Sequence, residues 1–101
     1  MTRQEHLLVC LAEECAEVQK EITKILRFGL NDKPIESLGG KNLEPNSVRL
    51  HREVVDVLAV IDMLMDEGLI EDVDVKDVEA KQERVEKYMK YAHEKGMLDV
   101  K

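Results

Sequence analysis

The sequence of residues 2–28 is TRQEHLLVCLAEECAEVQKEITKILRF, and it sets the fold class of the chain. It opens with a capping-box pattern, Thr2 followed three residues later by Glu5, which is typical of a helix N-terminus. Apolar residues then recur in alternating steps of three and four, as one stripe of an α-helix requires, at Leu8, Leu11, Cys15, Val18, Ile22 and Ile25. Gly29 follows a last turn that contains two basic residues. The pattern predicts a first helix that ends at about Phe28.

A second and more apolar pattern begins after residue 45 and stops before Gly68. Asn46 or Ser47 is predicted to cap this helix. One face is formed by Leu50, Val54, Val57, Leu58, Ile61 and Leu64, with Val55, Val60 and Met63 toward the sides. A helix that is apolar over so much of its surface is expected to be covered on several sides. Because two other helices of one short chain are too few to cover it, we expect a homo-oligomer.

A third helix with a thinner apolar stripe is predicted to run to about Lys95, after an acidic turn at residues 71–74. No strand pattern and no internal repeat is present in the sequence. We therefore predict one all-α domain over residues 1–101, with three long helices that form a four-helix-bundle-type core completed by homo-oligomerisation. Residues 29–45 contain two prolines and a Gly-Gly pair without clear periodicity, and we treat this long connection as a candidate lid.

The charge balance narrows the possible partners. The 101 residues include 22 acidic and 15 basic side chains, which gives a net charge of −7. An excess of acid argues against binding to a nucleic-acid polymer or to an anionic membrane surface. The sequence offers no signal-peptide pattern and no membrane span, so we expect a cytoplasmic protein. Cys10 and Cys15 are five residues apart on one predicted helix, beyond disulfide reach, and are expected to be reduced.

Carboxylates lie beside the predicted packing faces of the first two helices. At roughly 100° per residue, Glu14, Glu17 and Glu21 share one flank of the first apolar stripe, and Glu14 lies closest to the buried side. Glu53 is placed at the edge of the main face of the second helix, and Asp56 lies one step further round.

Two interpretations of these carboxylates are open. Acid pairs spaced by three residues are common in so acidic a chain, either pair alone is more often solvated surface, and Glu21 with Lys24 could be an ordinary helical ion pair. Like charges crowded near an apolar surface, however, need a counter-charge. Clustered carboxylate oxygens suit Mg²⁺, with Mn²⁺ as a possible substitute.

On the third helix, Lys81 projects toward the apolar stripe, where an aliphatic residue was expected, and Arg84 lies on a neighbouring face. A lysine in this position can be a side chain that extends to solvent at the edge of a bundle. It can also bind phosphates if it faces an acidic metal site. The sequence contains no Glu-x-x-His pair and no Gly-Lys-Ser/Thr after its Gly-Gly pair, so a di-iron bundle site and a P-loop are not predicted.

The acidic segments resemble a known signature. Glu13-Glu14-Cys15-Ala16-Glu17 and Glu53-Val54-Val55-Asp56 are similar to the Glu-Glu-x-x-Glu and Glu-x-x-Asp motifs of the MazG-like all-α nucleoside triphosphate pyrophosphohydrolases. The same superfamily includes the dimeric dUTPases and phosphoribosyl-ATP pyrophosphatase. The similarity continues at Arg27-Phe28-Gly29 and at Lys81 with Lys87-Tyr88, and thus spans nearly the whole chain. The connection between the two motifs is longer here than in many members.

The resemblance implies an activity and a set of site residues. It implies Mg²⁺-dependent cleavage of a nucleoside triphosphate between the α- and β-phosphates, which gives a nucleoside monophosphate and pyrophosphate. By the resemblance, the metal ligands and catalytic residues are Glu14, Glu17, Glu53 and Asp56, and Glu13 is the signature glutamate that points away. Lys81 and Arg84 are then expected to bind the substrate phosphates, in a homodimer or a dimer of dimers. The alternatives are phosphoribosyl-ATP hydrolysis within the same superfamily and a non-catalytic helical oligomerisation module.

Overall fold

The structure is a computed structural model that describes residues 1–33 and 44–99. In these ranges the chain forms three α-helices and no strand: α1 (Arg3–Phe28), α2 (Asn46–Asp66) and α3 (Val75–Glu94). The predicted all-α class is confirmed. None of the described helices has both the length and the apolarity that crossing a membrane requires. Most of the candidate lid, residues 34–43, lies outside the described residues.

The ends of α1 are fixed by local signals in the sequence. The hydroxyl of Thr2 accepts a hydrogen bond from the backbone N–H of Glu5 at 3.1 Å, and the Glu5 carboxylate accepts one from the backbone N–H of Thr2 at 3.2 Å. At the other end Gly29 has a φ of 108°, a conformation that glycine adopts without a steric penalty. The predicted capping box and the predicted end of α1 are therefore confirmed.

The start of α2 differs from the prediction. Pro45 is the N-cap residue, and none of the described side chains caps the helix. Asn46 is instead 1% exposed and is the first residue of α2. The expectation that Asn46 or Ser47 caps the helix is wrong because both residues connect α2 to the end of α1. The connecting hydrogen bonds run from Asn46 Nδ2 to Gly29 O (3.0 Å), from Asn46 N to Asp32 O (2.9 Å) and from Ser47 N to Leu30 O (2.8 Å).

Helices α1 and α2 pack against each other as an antiparallel pair. We call the joined residues 29–32 and 46–47 the hairpin base. At the opposite end of the pair, the Arg3 guanidinium contacts the Glu67 carboxylate at 2.9 Å. Leu7 and Leu64 are the two buried apolar residues among those described, and Leu64 has no exposed surface. We call the surface between the two helices the seam.

The seam does not follow the apolar stripe predicted for α1. Its α1 side is made of buried or half-buried residues at positions 7, 10, 11, 14, 18, 21 and 25. Leu8, Cys15 and Ile22, on the other edge of the predicted stripe, are exposed. The packing face of α1 thus includes two carboxylates, Glu14 and Glu21. Cys10 and Cys15 form no disulfide, as the sequence predicts.

The chain divides into two compact units, Met1–Ile70 and Glu71–Lys101. In the second unit, the Asp74 side chain caps α3 by accepting a hydrogen bond from Lys76 N at 2.8 Å. No residue of α3 is buried, and its apolar stripe, including Val78, Val85 and Met89, is exposed. In the last turn of α3, His93 Nδ1 donates to Leu98 O at 2.9 Å. A single domain and its completion by homo-oligomerisation stay predictions.

Candidate metal centre

Three carboxylates meet in the seam. One oxygen each of Glu14, Glu53 and Asp56 lies within 4.8 Å of the others. Glu53 and Asp56 are three residues apart on α2 and therefore share a face. Glu14 approaches them from α1, because antiparallel packing brings the middle of one helix to the middle of the other. Among residues 1–33 and 44–99, this acidic trio is the one group of three or more such side chains close enough to share a metal ion.

Electrostatic repulsion acts on the acidic trio. Partial burial raises the pKa of the Glu14 carboxyl above its usual range, and the charges of Asp56 and Glu53 raise this pKa further. Glu17 and Glu13 act in the same direction with smaller contributions. The ion pairs among the described residues involve other side chains, so the acidic trio has no cationic partner there. A divalent cation would supply the missing positive charge.

The structure brings together three of the four predicted metal ligands. Glu17 lies outside the acidic trio and is exposed, although its charge still reaches Glu14. Glu13 is exposed as well. Lys81 and Arg84 are exposed residues of α3, in the second unit of the chain. Their contact with substrate phosphates stays a prediction.

A second acid of the seam, Glu21, has different surroundings. It is 6% exposed, and its Oε1 accepts a hydrogen bond from Lys24 Nζ at 3.2 Å. Its Oε2 is buried and has no hydrogen-bond partner within the part of the chain that the structure describes. The sequence suggests the ion pair with Lys24 but not the burial of Glu21. The signal that was available is the spacing of seven residues from Glu14, which returns Glu21 to nearly the same side of α1.

Comparison of the chain with models of protein families, with curated proteins and with solved structures found no match. The resemblance to the MazG-like pyrophosphohydrolases therefore depends on the residues of the two acidic segments and on their spacing. The geometry shows an acidic trio, in which Glu14 comes from the first segment and both Glu53 and Asp56 come from the second.

Proposed function

We propose that this chain is a Mg²⁺-dependent nucleoside triphosphate pyrophosphohydrolase, which cleaves between the α- and β-phosphates. The observation that supports it best is the acidic trio, whose oxygens lie within 4.8 Å of one another without a cationic partner among the described residues. The proposal includes a nucleoside triphosphate as substrate, a homodimer or dimer of dimers as the working form, and a cytoplasmic location.

The donor set of the acidic trio fits Mg²⁺. This ion prefers oxygen ligands and is commonly held by one or two carboxylates together with substrate phosphates, so three carboxylates leave room for the substrate. Mn²⁺ accepts the same ligands and is expected to substitute. Because the trio contains only acids, it is poorly suited to ions that prefer imidazole or thiolate ligands. The raised pKa of Glu14 supports the same conclusion, since partial burial and then repulsion from Asp56 and Glu53 both disfavour its negative charge in the absence of a cation.

The residues of the chain have two tasks in this reaction. Glu14, Glu53 and Asp56 hold the metal on a seam that both helices keep in place, which limits reorganisation during the reaction. A carboxylate oxygen that does not bind metal accepts the proton of the attacking water. When bound, Mg²⁺ polarises the phosphates, offsets charge on the leaving pyrophosphate and makes water a better nucleophile. A chain with a net charge of −7 can then bind a polyanion.

The direct test is pyrophosphate release from a panel of canonical, deoxy and modified nucleoside triphosphates with Mg²⁺. We expect release from at least one of them. Glu53→Ala should reduce the rate by at least about 100-fold, the effect of losing one group that stabilises charge in the transition state. Asp62→Ala is the matched control, because Asp62 is an exposed acid of the same helix. No release from any triphosphate, or full activity of Glu53→Ala, would contradict the proposal.

A non-catalytic oligomerisation module is the second candidate, favoured by exposed apolar side chains such as Leu58, which is 59% exposed. A titration with Mg²⁺ or Mn²⁺ that follows thermal stability separates the two functions. A metal that binds the folded state raises the melting temperature, whereas solvated glutamates respond little. Phosphoribosyl-ATP, included in the substrate panel, tests the alternative reaction of the same superfamily.

A further inference from the structure

Glu21 is a buried acid that the candidate metal centre does not use. Only 6% of the residue is exposed, and its Oε2 is one of two buried side-chain atoms without a hydrogen-bond partner among the described residues, the other being Asn46 Oδ1. A buried acceptor without a donor is destabilising, and more so when the group carries charge. The ammonium of Lys24 contacts only the other oxygen of Glu21. Glu21 Oε2 is therefore an acceptor to which a ligand can supply a donor.

The position of Glu21 relates it to the acidic trio. It follows Glu14 by seven residues, so it points within about 20° of the same direction and lies about 10 Å further along the axis of α1. Val18, half-buried, lies between the two on the same side. The seam thus presents a carboxylate of the acidic trio, an apolar side chain and a hydrogen-bond acceptor in that order. The Lys24 side chain, 28% exposed, marks where this part of the seam meets solvent.

A nucleotide has groups that fit this order. Its phosphates bind metal ions, its base has apolar faces, and the hydrogen-bonding edge of the base carries N–H donors. The separation between the phosphates and that edge is of the same order as the spacing between Glu14 and Glu21. Carboxylates are established acceptors of base N–H groups, as in the pairing of Glu or Asp with the cytosine amino group.

We propose that Glu21 Oε2 accepts a hydrogen bond from an N–H group on the edge of the substrate base. This assignment rests on the proposed function for the phosphate end of the ligand. Glu21 then distinguishes bases by whether they offer an N–H at this point. In the absence of the nucleotide the acceptor has no donor among residues 1–33 and 44–99, and binding of the base removes the resulting penalty.

The test measures binding, which does not depend on cleavage. Calorimetry with Mg²⁺ compares the monophosphates of cytidine, adenosine, guanosine and uridine, each beside its counterpart with the edge N–H groups methylated. We expect the wild-type protein to bind its preferred monophosphate about tenfold more tightly than the methylated form, the scale of one hydrogen bond to a charged group. Glu21→Gln should weaken binding of the unmodified nucleotide by a similar factor and leave binding of the methylated one unchanged. Asp62→Asn is the control for loss of one negative charge.

Several outcomes overturn the inference. Equal binding of methylated and unmodified nucleotides by the wild-type protein does so without any variant, because it would mean that the base donates no hydrogen bond to Glu21 Oε2. Equal weakening of both forms by Glu21→Gln would indicate a purely structural role. Pyrophosphate release with unaltered binding in Glu21→Gln refutes this inference but leaves the proposed function intact. Base-selective binding without pyrophosphate release does the reverse. No binding of any monophosphate refutes this inference alone, because the proposed function is decided by pyrophosphate release from triphosphates.

Discussion

Glu14 and Glu21 are the same residue type on the same side of the same helix, yet their surroundings are opposite. Glu14 lies among carboxylates, and both its partial burial and its neighbours raise its pKa. Glu21 is more deeply buried but has an ammonium 3.2 Å away. Glu14 has no cationic partner among the described residues, whereas Glu21 Oε2 has no hydrogen-bond donor among them. Helix periodicity places each carboxylate on this side of α1, but the side chains around it decide which ligand it lacks.

Changes at Glu14 and at the Glu21–Lys24 pair are expected to alter stability in opposite directions. Neutralising Glu14 removes repulsion and should stabilise the metal-free protein, whereas disturbing the Glu21 pair should destabilise it. Glu14→Gln makes the net charge of −7 less negative and Lys24→Met makes it more negative, so each substitution needs its own control for a general effect of net charge. The following substitutions test each half of the comparison.

We expect the strongest change in the free energy of unfolding at the ion pair of Glu21 and Lys24. Lys24→Met should lower the free energy of unfolding by about 1–3 kcal/mol, because it leaves a buried carboxylate with no partner on either oxygen. Urea denaturation measures the loss. In a Glu21→Gln background, the same Lys24→Met substitution should change stability by less than about 0.5 kcal/mol, since no charge remains to be paired. An equal loss in both backgrounds would show that Lys24 stabilises the helix by packing alone.

A smaller effect of opposite sign is expected at the acidic trio. Glu14→Gln should raise the melting temperature of the metal-free protein by a few degrees, because it relieves repulsion from Asp56 and Glu53. The same substitution should reduce the further rise that Mg²⁺ produces, since it removes a ligand. Thermal unfolding with EDTA and then with Mg²⁺ measures both changes, with Asp62→Asn as the control. If Glu14→Gln melts at a lower temperature than the wild-type protein in EDTA, repulsion among the three carboxylates is refuted.

The smallest effect is a dependence on pH. The pKa of Glu14 in the folded state is raised above its ordinary value of 4.5, so the folded state binds its proton more tightly than the unfolded state does. The stabilisation that this tighter proton binding provides is therefore fully present below about pH 4.5, and it is lost as the pH rises through the pKa of Glu14 in the folded state. We therefore expect the stabilising effect of Glu14→Gln in EDTA to increase as the pH rises from about 4.5 through the folded pKa of Glu14. Denaturation curves at a series of pH values measure it, and a difference that is constant with pH would contradict the assignment.

Local sequence signals predicted the helices well. The capping box of Thr2 and the glycine after Phe28 act through neighbouring backbone atoms, so the limits of α1 follow from the sequence alone. The start of α2 does not follow from the sequence alone, because Asn46 forms its hydrogen bonds with residues 29 and 32 instead of with the first turn of its own helix. A pattern within one helix carries no information about such a distant partner.

The candidate site was predicted less completely for a related reason. Spacing on each helix selected Glu14, Glu53 and Asp56, which the structure brings together, but also Glu17, which lies outside the acidic trio. The apolar stripe of α1 is wide enough to pack along either edge, and the sequence favoured the edge with Cys15 and Ile22. Packing instead uses the edge with Glu14 and Glu21. A helical projection of α1 alone does not show which edge faces the partner helix, because it contains no information about the side chains of α2.

The hairpin base has a consequence for the variability of this protein. Its three hydrogen bonds join residues 29–32 to residues 46–47 directly, so the ends of the intervening segment are held together whatever its length. The entropic penalty of loop closure rises by only about 0.6 kcal/mol for each doubling of the loop length. Insertions and deletions in this segment can therefore accumulate while the register of α1 on α2, and with it the spacing of the acidic trio, is preserved. The same property makes the segment a natural place for engineered insertions.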